Sequence, residues 1–214
     1  MNVSTRWATE RDVPFLGEVV LLASRSHLPR GVWDLALPDD ELRRRFLERL
    51  LVTGEASWCH WTKFRVAEVD GIPAAALSGY AEDEAGMLGE DEAIATAFAA
   101  VGLDATAQAA VFANIGPFLT CVMPPIGTPW IIEWVATLTP YRRRGLVDLL
   151  LREMLDEGRR RGRGRGQIMV IGGNVTAQRA YERVGFVMHE ARYTPAFEDL
   201  LGARGLHRLS QRLG

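Results

Sequence analysis

Apolar residues recur along this chain with two periods, and the points where one period gives way to the other mark its elements. Val147, Leu150, Leu151, Met154 and Leu155 stand at i, i+3, i+4, i+7 and i+8, with Asp148, Arg152, Glu153 and Asp156 between them. That spacing predicts an amphipathic helix with one face buried. Gly158, Gly162, Gly164 and Gly166 are expected to end it, and Gln167 to Ile171 then reads as a short strand whose apolar continuity suits burial on both sides. A strand over Trp130 to Leu138 precedes the helix, so strand, helix, strand implies a right-handed crossover in a partly parallel sheet. A helix led by Asn174 and a final strand reaching Tyr193 complete this region.

The first half supplies the other strands. Ser4 to Ala8 reads as a strand, and Thr9 with Asp12 three residues on forms a helix-starting box for Phe15, Leu16, Val19, Val20 and Ala23, with the helix ending near Ser26. A loop with Pro29, Gly31, Trp33 and Pro38 leads to a second helix capped by Asp39, with Leu42, Phe46, Leu47 and Leu50 inward. Thr62 to Val69, Asp70-Gly71 and Ile72 to Tyr80 predict a hairpin with a two-residue turn.

Between that hairpin and Trp130, residues 82–127 read as a helical insertion: Ala93 to Val101 and Thr106 to Phe112 are alanine-rich, broken by Gly102 and followed by Gly116-Pro117 and Pro124-Pro125. A lid over a site and a packing or dimer-forming hairpin are both open for it. Residues 196–214, polar and arginine-bearing, read as a C-terminal appendage to a single domain spanning 1–214.

Composition narrows the field. With 214 residues, a net charge of −2 and 48% apolar residues, the chain can bury a substantial core, which argues against disorder. Met1 to Ala8 lacks a secretion pattern, and no apolar run nears the roughly 20 residues needed to span a bilayer, so a cytoplasmic address and no membrane partner are expected. Cys59 and Cys121 are too few for a disulfide framework, and no metal site is expected. Arg159 to Arg165 lacks interleaved aromatics and reads as a surface loop, so no nucleic-acid partner is expected.

Charge is unevenly placed. No lysine, arginine or histidine lies between Arg65 and Arg142, whereas Glu68, Asp70, Glu82, Asp83, Glu84, Glu90, Asp91, Glu92, Asp104 and Glu133 do. Either these acids are solvated helix faces, or they face a small cationic substrate across a cleft whose arginine side holds an anion.

The anion reading centres on Thr139 to Val147, where the strand stops and the helical stripe begins. A turn there leaves helix-start N–H groups unpaired with the positive end of the helix dipole behind them, an arrangement that binds phosphate. Val135-Ala136-Thr137, Arg142-x-x-Gly145-x-Val147 and Asn174-x-x-Ala177-x-x-Ala180-Tyr181-x-x-x-Gly185-Phe186 together resemble the GNAT superfamily of N-acetyltransferases. The resemblance implies an α/β fold with a mixed, mostly antiparallel twisted sheet flanked by helices, the helical insertion lying before the fourth strand. It also implies acetyl-coenzyme A as co-substrate, a primary amine as acceptor and direct attack in a ternary complex; a homodimer is compatible with it. On that resemblance Arg142, Arg143, Arg144, Gly145, Leu146 and Val147 hold the pyrophosphate, while Val135, Ala136, Thr137 and Asn174 hold the pantetheine arm. Val147 departs from the family's small residue: it either points into the core or hinders the pyrophosphate.

Chemistry requires a base for the amine, an oxyanion donor and an acid for the thiolate. Glu133 is the candidate base, since burial in so apolar a strand raises a carboxyl pKa, with a structural ion pair as the other reading; alternation puts it on the face of Val135 and Thr137. Tyr181 matches the family's acid to the thiolate; otherwise it is a core aromatic. Asn174 otherwise caps its helix. The oxyanion donor is a backbone N–H of the strand carrying Val135 to Thr137. Trp33, Trp58, Trp61, Trp130 and Trp134 line an acceptor pocket or fill the core. His60 reads as a structural histidine. A module that binds acyl-coenzyme A without turnover is the alternative function.

Overall fold

Asp70 (φ 53°) and Gly71 (φ 80°) both take the left-handed conformation that a two-residue turn needs to match the twist of its strands. They join β2 (Phe64–Val69) to β3 (Ile72–Ala81) in antiparallel register, as predicted, although Thr62 and Lys63 belong to a short 3-10 turn before β2. The structure is a computed structural model that describes residues 1–54, 57–81, 83 and 87–214, with 87–91 as backbone only. With β1 (Val3–Trp7), β4 (Trp130–Thr137), β5 (Arg165–Ile171), β6 (Val187–Tyr193) and β7 (Gly205–Arg212), the sheet runs in the order β1-β2-β3-β4-β5-β7-β6. Only β4 and β5 pair in parallel; every other neighbouring pair is antiparallel.

Helices cover both faces. On one side α1 (Val13–Arg25), α2 (Val32–Ala36), α3 (Asp40–Leu50), α4 (Met87–Ala100) and α5 (Ala105–Leu119) bury Leu16, Val20, Phe46, Phe98 and Ile115 in a core shared with Ile131. On the other, α6 (Leu146–Arg160) and α7 (Val175–Arg183) bury Leu150, Leu151, Met154, Leu155 and Tyr181 against Ile132 and Leu209. Thr9 starts the first helical segment as expected, its amide donating to Asp12 at 2.7 Å. Asp39 caps α3 by accepting from the Leu42 amide. Among the described residues no helix is long and apolar enough to cross a membrane, and both cysteines are buried and outside any disulfide.

Several expectations need correction. The loop around Trp33 contains α2, too short to show a period; Asp34 holds it by accepting from the Gly31 amide at 2.8 Å and from Arg25 through both carboxylate oxygens. Gly116-Pro117 does not end the second insertion helix: α5 runs through to Leu119, since a proline in the last turn removes one ladder bond from a helix already packed through Val111 and Ile115. Residues 82 and 84–86 of the expected insertion lie outside the described residues. Gly158 lies inside α6, not at its end, because a Cβ there would come within 2.8 Å of the Trp130 ring; its absence lets the helix lie close on β4.

The largest correction concerns the tail. Residues expected to form an appendage fold as α8 (Pro195–Leu201) and β7, and β7 sits inside the sheet, paired to β5 from Ile171↔Leu206 to Arg165↔Arg212 and to β6 on its other side. The strand ending at Tyr193 is therefore not the final one, and it forms an edge of the sheet. Polarity concealed β7: Arg208 is 4% exposed, and its two terminal nitrogens donate to the Pro124 carbonyl and to the Glu190 carboxylate while its Nε has no hydrogen-bond partner, so a charged residue occupies a buried site with its guanidinium only partly satisfied.

Candidate active site

Strands β4 and β5 pair over only three positions, Trp130↔Gly166, Ile131↔Gln167 and Ile132↔Ile168. Beyond Ile132 they part. A cavity of about 1080 Å³ occupies the gap, lined by Glu133 to Thr137 from β4 and by Met169 to Ile171 from β5. Crevices beyond the carboxyl ends of parallel strands are where α/β sheets bind ligands, and this volume lies at the upper end of the range for small-molecule sites, about 300–1,000 Å³.

A bulge shapes β4 at this point. Ala76 faces Ala136 and Ser78 faces Glu133, so Leu77 of β3 stands opposite two residues, Trp134 and Val135. Trp134 takes φ 52°, outside the conformation of a regular strand. The extra residue reverses the alternation: Ile131, Trp134 and Ala136 pack in the core that contains Tyr80 and Trp58, whereas Ile132 and Val135 pack in the opposite core. Glu133, hydrogen-bonded by the Tyr80 and Trp58 side chains, therefore does not share the face of Val135 and Thr137, as strict alternation predicted.

Burial pushes the Glu133 carboxyl up to about 7, against the opposing pull of the Tyr80 and Trp58 hydrogen bonds. No cation lies against it in the form of a salt bridge among the described residues, so the structural ion pair is not formed. Tyr181 lines the same cavity from α7, is 6% exposed, and packs edge-on to Phe186 with ring centroids 6.4 Å apart. Burial raises its pKa, so the phenol keeps its proton.

After β4 the chain turns at Thr139 to Gly145. Arg143 (φ 62°) and Gly145 (φ 75°) are both left-handed, and Gly145 caps α6 without a side-chain hydrogen bond. Among the described residues nothing accepts from the amides of Arg143 to Asp148; the first bond of α6 is Leu149 N–H to the Gly145 carbonyl. These amides, at the positive end of a helix dipole and beside Arg142, Arg143 and Arg144 on the cavity wall, form a ready anion site. Arg142 donates to the Thr137 carbonyl at 3.3 Å, and Arg144 lies over the Tyr141 ring at 5.4 Å and donates to the Pro140 carbonyl. Val147, half-buried, packs against the α6 core, as one of its two readings expected, and also borders the cavity.

Asn174 lines the cavity too, and its side chain is engaged in a different way: the carbonyl oxygen accepts from the Ala177 amide at 3.0 Å and the amide nitrogen donates to Ser26 Oγ at 2.6 Å. It caps α7 and ties it to the end of α1. All the residues expected to bind or react, Glu133, Val135, Ala136, Thr137, Arg142 to Val147, Asn174 and Tyr181, thus border one cavity. Of the tryptophans, Trp33, Trp58 and Trp134 border it; Trp61 and Trp130 do not. His60 is buried and capped against Thr62, in keeping with a structural role.

Apart from Glu133, the acidic middle of the chain does not reach this cavity among the described side chains. Asp83 pairs with Arg163, Asp104 caps α5, Glu68 pairs with Arg6, and Glu92 is exposed. In their place stand residues that periodicity alone did not single out: Ile94, Phe98, Phe112 and Ile115 from α4 and α5. Among the described residues no group of three or more His, Cys, Asp or Glu is placed to hold a metal ion.

Residues 115–186 match the family described as Acetyltransferase (GNAT) family. No curated protein matches the chain in sequence. Solved structures share its fold: an N-acetyltransferase from Staphylococcus aureus Mu50 has a TM-score of 0.69 at 18% identity, covering 97% of this chain and 100% of its own. Another acetyltransferase has a TM-score of 0.67 at 17% identity, with 99% and 100% covered. The yncA protein of Salmonella typhimurium, solved with its cofactor acetyl-CoA, has a TM-score of 0.56 at 14% identity, with 100% and 95% covered.

Proposed function

We propose that this chain, whose residues 115–186 match the GNAT acetyltransferase family and whose fold solved acetyltransferases share, is an acetyl-coenzyme A-dependent enzyme that acetylates a primary amine by direct attack, with Glu133 as general base and Tyr181 as general acid. The observation that carries this reading is the shared cavity, in which a carboxyl poised near neutrality, a protonated phenol and a turn of unpaired amides face one space.

In this reading the amides of Arg143 to Asp148 bind the pyrophosphate of coenzyme A, with the arginines of the turn adding charge. The edge of β4 left free past Ile132 offers backbone groups to the pantetheine arm around Val135 to Thr137, and one of those N–H groups faces the developing oxyanion. Asn174 acts mainly by holding α7, and so Tyr181, in place. Acetyl-coenzyme A supplies the activated acyl group. Glu133 removes a proton from the amine, a step that a pKa near 7 suits at neutral pH, and Tyr181 returns one to the departing thiolate. The helices α4 and α5 cover the acceptor side of the cavity, which supports the lid reading of the insertion over a packing role alone.

The test is thiol release from acetyl-coenzyme A with a panel of primary amines, with the acetylated product identified by mass spectrometry. Acetyl-coenzyme A binding without thiol release under any acceptor would favour the non-catalytic binding module.

A further inference from the structure

The cavity has two ends of opposite chemistry. At one end Arg142, Arg143, Arg144 and Arg183 meet the free amides of the turn. At the other, past Glu133, the walls are Trp33 and Trp58 together with Ile94, Phe98, Phe112 and Ile115. Among the described residues the carboxylates bordering the cavity are Glu133 and Asp148, and Asp148 is held by Arg183 in a two-pronged ion pair, 2.7 and 2.9 Å, at the arginine end. Glu82, Glu84, Glu90 and Asp91 are not among the described side chains.

An ammonium group entering the acceptor end therefore meets, among the described side chains, the carboxyl group of Glu133 beside indole rings whose faces attract cations. The described α4 and α5 side chains on the wall, Ile94, Phe98, Phe112 and Ile115, are apolar. A second ammonium on the same molecule would lie among Ile94, Phe98, Phe112 and Ile115, where no described side chain offers a carboxylate, and an unpaired buried charge is among the most costly arrangements in a protein. Aromatic faces and edges are already offered there: Phe98 and Phe112 meet edge-on at 6.0 Å and 89°, and Trp33 lies 6.4 Å from Trp134.

We infer that the acceptor is a singly charged amine with an apolar, preferentially aromatic, body, seated with its nitrogen at Glu133 and its body between α4, α5 and Trp33. This rests on the acetyl-transfer reading and narrows the small cationic substrate suggested by charge along the sequence to one with a single charge and an apolar body. In the step itself the amine nitrogen forms a bond to the acetyl carbonyl carbon as the thioester C–S bond breaks. The ammonium gives one proton to Glu133 before attack and a second to water as the amide forms, while the thiolate takes a proton from Tyr181, leaving an amide and free coenzyme A.

The experiment compares 2-phenylethylamine, hexylamine and putrescine as acceptors for the full chain with acetyl-coenzyme A, and repeats the series with octanoyl-coenzyme A as donor. The expected result is a kcat/KM for 2-phenylethylamine about tenfold or more above that for putrescine, most of it in KM, with hexylamine between them. Phe112→Ala is expected to raise the KM for 2-phenylethylamine by about fivefold, and Ile94→Ala serves if that variant does not fold. Putrescine turned over as well as 2-phenylethylamine overturns the inference and leaves acetyl transfer standing. Preference for octanoyl-coenzyme A by about tenfold or more also overturns it, because the apolar end then belongs to the donor. Thiol release with no amine at all, from a chain that still binds acetyl-coenzyme A, overturns the acetyl-transfer reading and the inference with it.

Discussion

Glu133 and Trp134, neighbours in sequence, project to the same side of β4, because Trp134 takes φ 52° and Leu77 across the ladder faces two residues in place of one. An unbulged strand would have sent one of them into the α6 core. The carboxyl is thereby brought into the cavity, where burial lifts it to about 7.

From that position follows a dependence of rate on pH. A base works only when deprotonated, so kcat/KM should rise with pH through an apparent pKa near 7. In Glu133→Gln the value at neutral pH should fall by about 10²- to 10⁴-fold and this rising limb should disappear. Thiol-release kinetics across the pH range decide it.

Stability should respond to the same group with the opposite sense. Folding raises this carboxyl from its ordinary value of 4.5 to about 7, so the folded state holds a proton over a range in which the unfolded chain has lost it. The stability this contributes is full below the unfolded value and is lost as pH rises through the folded one. Glu133→Gln should therefore gain in Tm relative to the parent between about pH 5 and pH 8, as thermal unfolding at the two pH values will reveal.

Tyr181→Phe keeps the ring that packs on Phe186 and removes the proton donor. Turnover is expected to drop by about ten- to a hundredfold while the Kd for coenzyme A, measured by calorimetry, stays within about a factor of two. An unchanged kcat would remove the tyrosine from the chemistry.

Val147 offers a test of the turn. Because part of it packs against the α6 core, Val147→Ala should lower stability by about 1 kcal/mol and leave the Kd for coenzyme A little altered. Gly145→Ala should do the reverse in emphasis: its φ of 75° strains any side chain, at a cost of about 1–2 kcal/mol, and a shift of the turn weakens cofactor binding. A tenfold tighter Kd in Val147→Ala would show that the branched side chain obstructs the pyrophosphate.

Deletion of residues 205–214 should abolish folding, since β7 joins β5 to β6 and contributes Leu206, Leu209 and Leu213 to the core. Circular dichroism and solubility of the shortened chain will tell. A cooperatively folded product would mean that the strand is dispensable.

Where sequence spoke plainly, it did so through periodicity and turn chemistry. The stripe from Val147 to Leu155, the Asp70-Gly71 turn, and the caps at Asp39 and Asn174 each impose a local geometry that later packing keeps. What it hid were features fixed by contact at a distance. The bulge at Trp134 has no glycine to announce it, β7 carries Arg208 in a buried position that only Glu190 and Pro124 make tolerable, and α2 depends on Asp34 reaching Arg25. Charge misled for the same reason: the acids between Arg65 and Arg142 cluster in sequence, and among those described Asp83, Asp104 and Glu68 are bound elsewhere in the fold.

Because β7 lies between β5 and β6, a nascent chain on the ribosome can have made β6 and still have nowhere to dock it. The wall of the cavity formed by β5 must likewise wait for its outer neighbour, which pairs with it along its whole length. Synthesis of β7, and not of the turn before α6, therefore sets the moment at which this cavity can first exist.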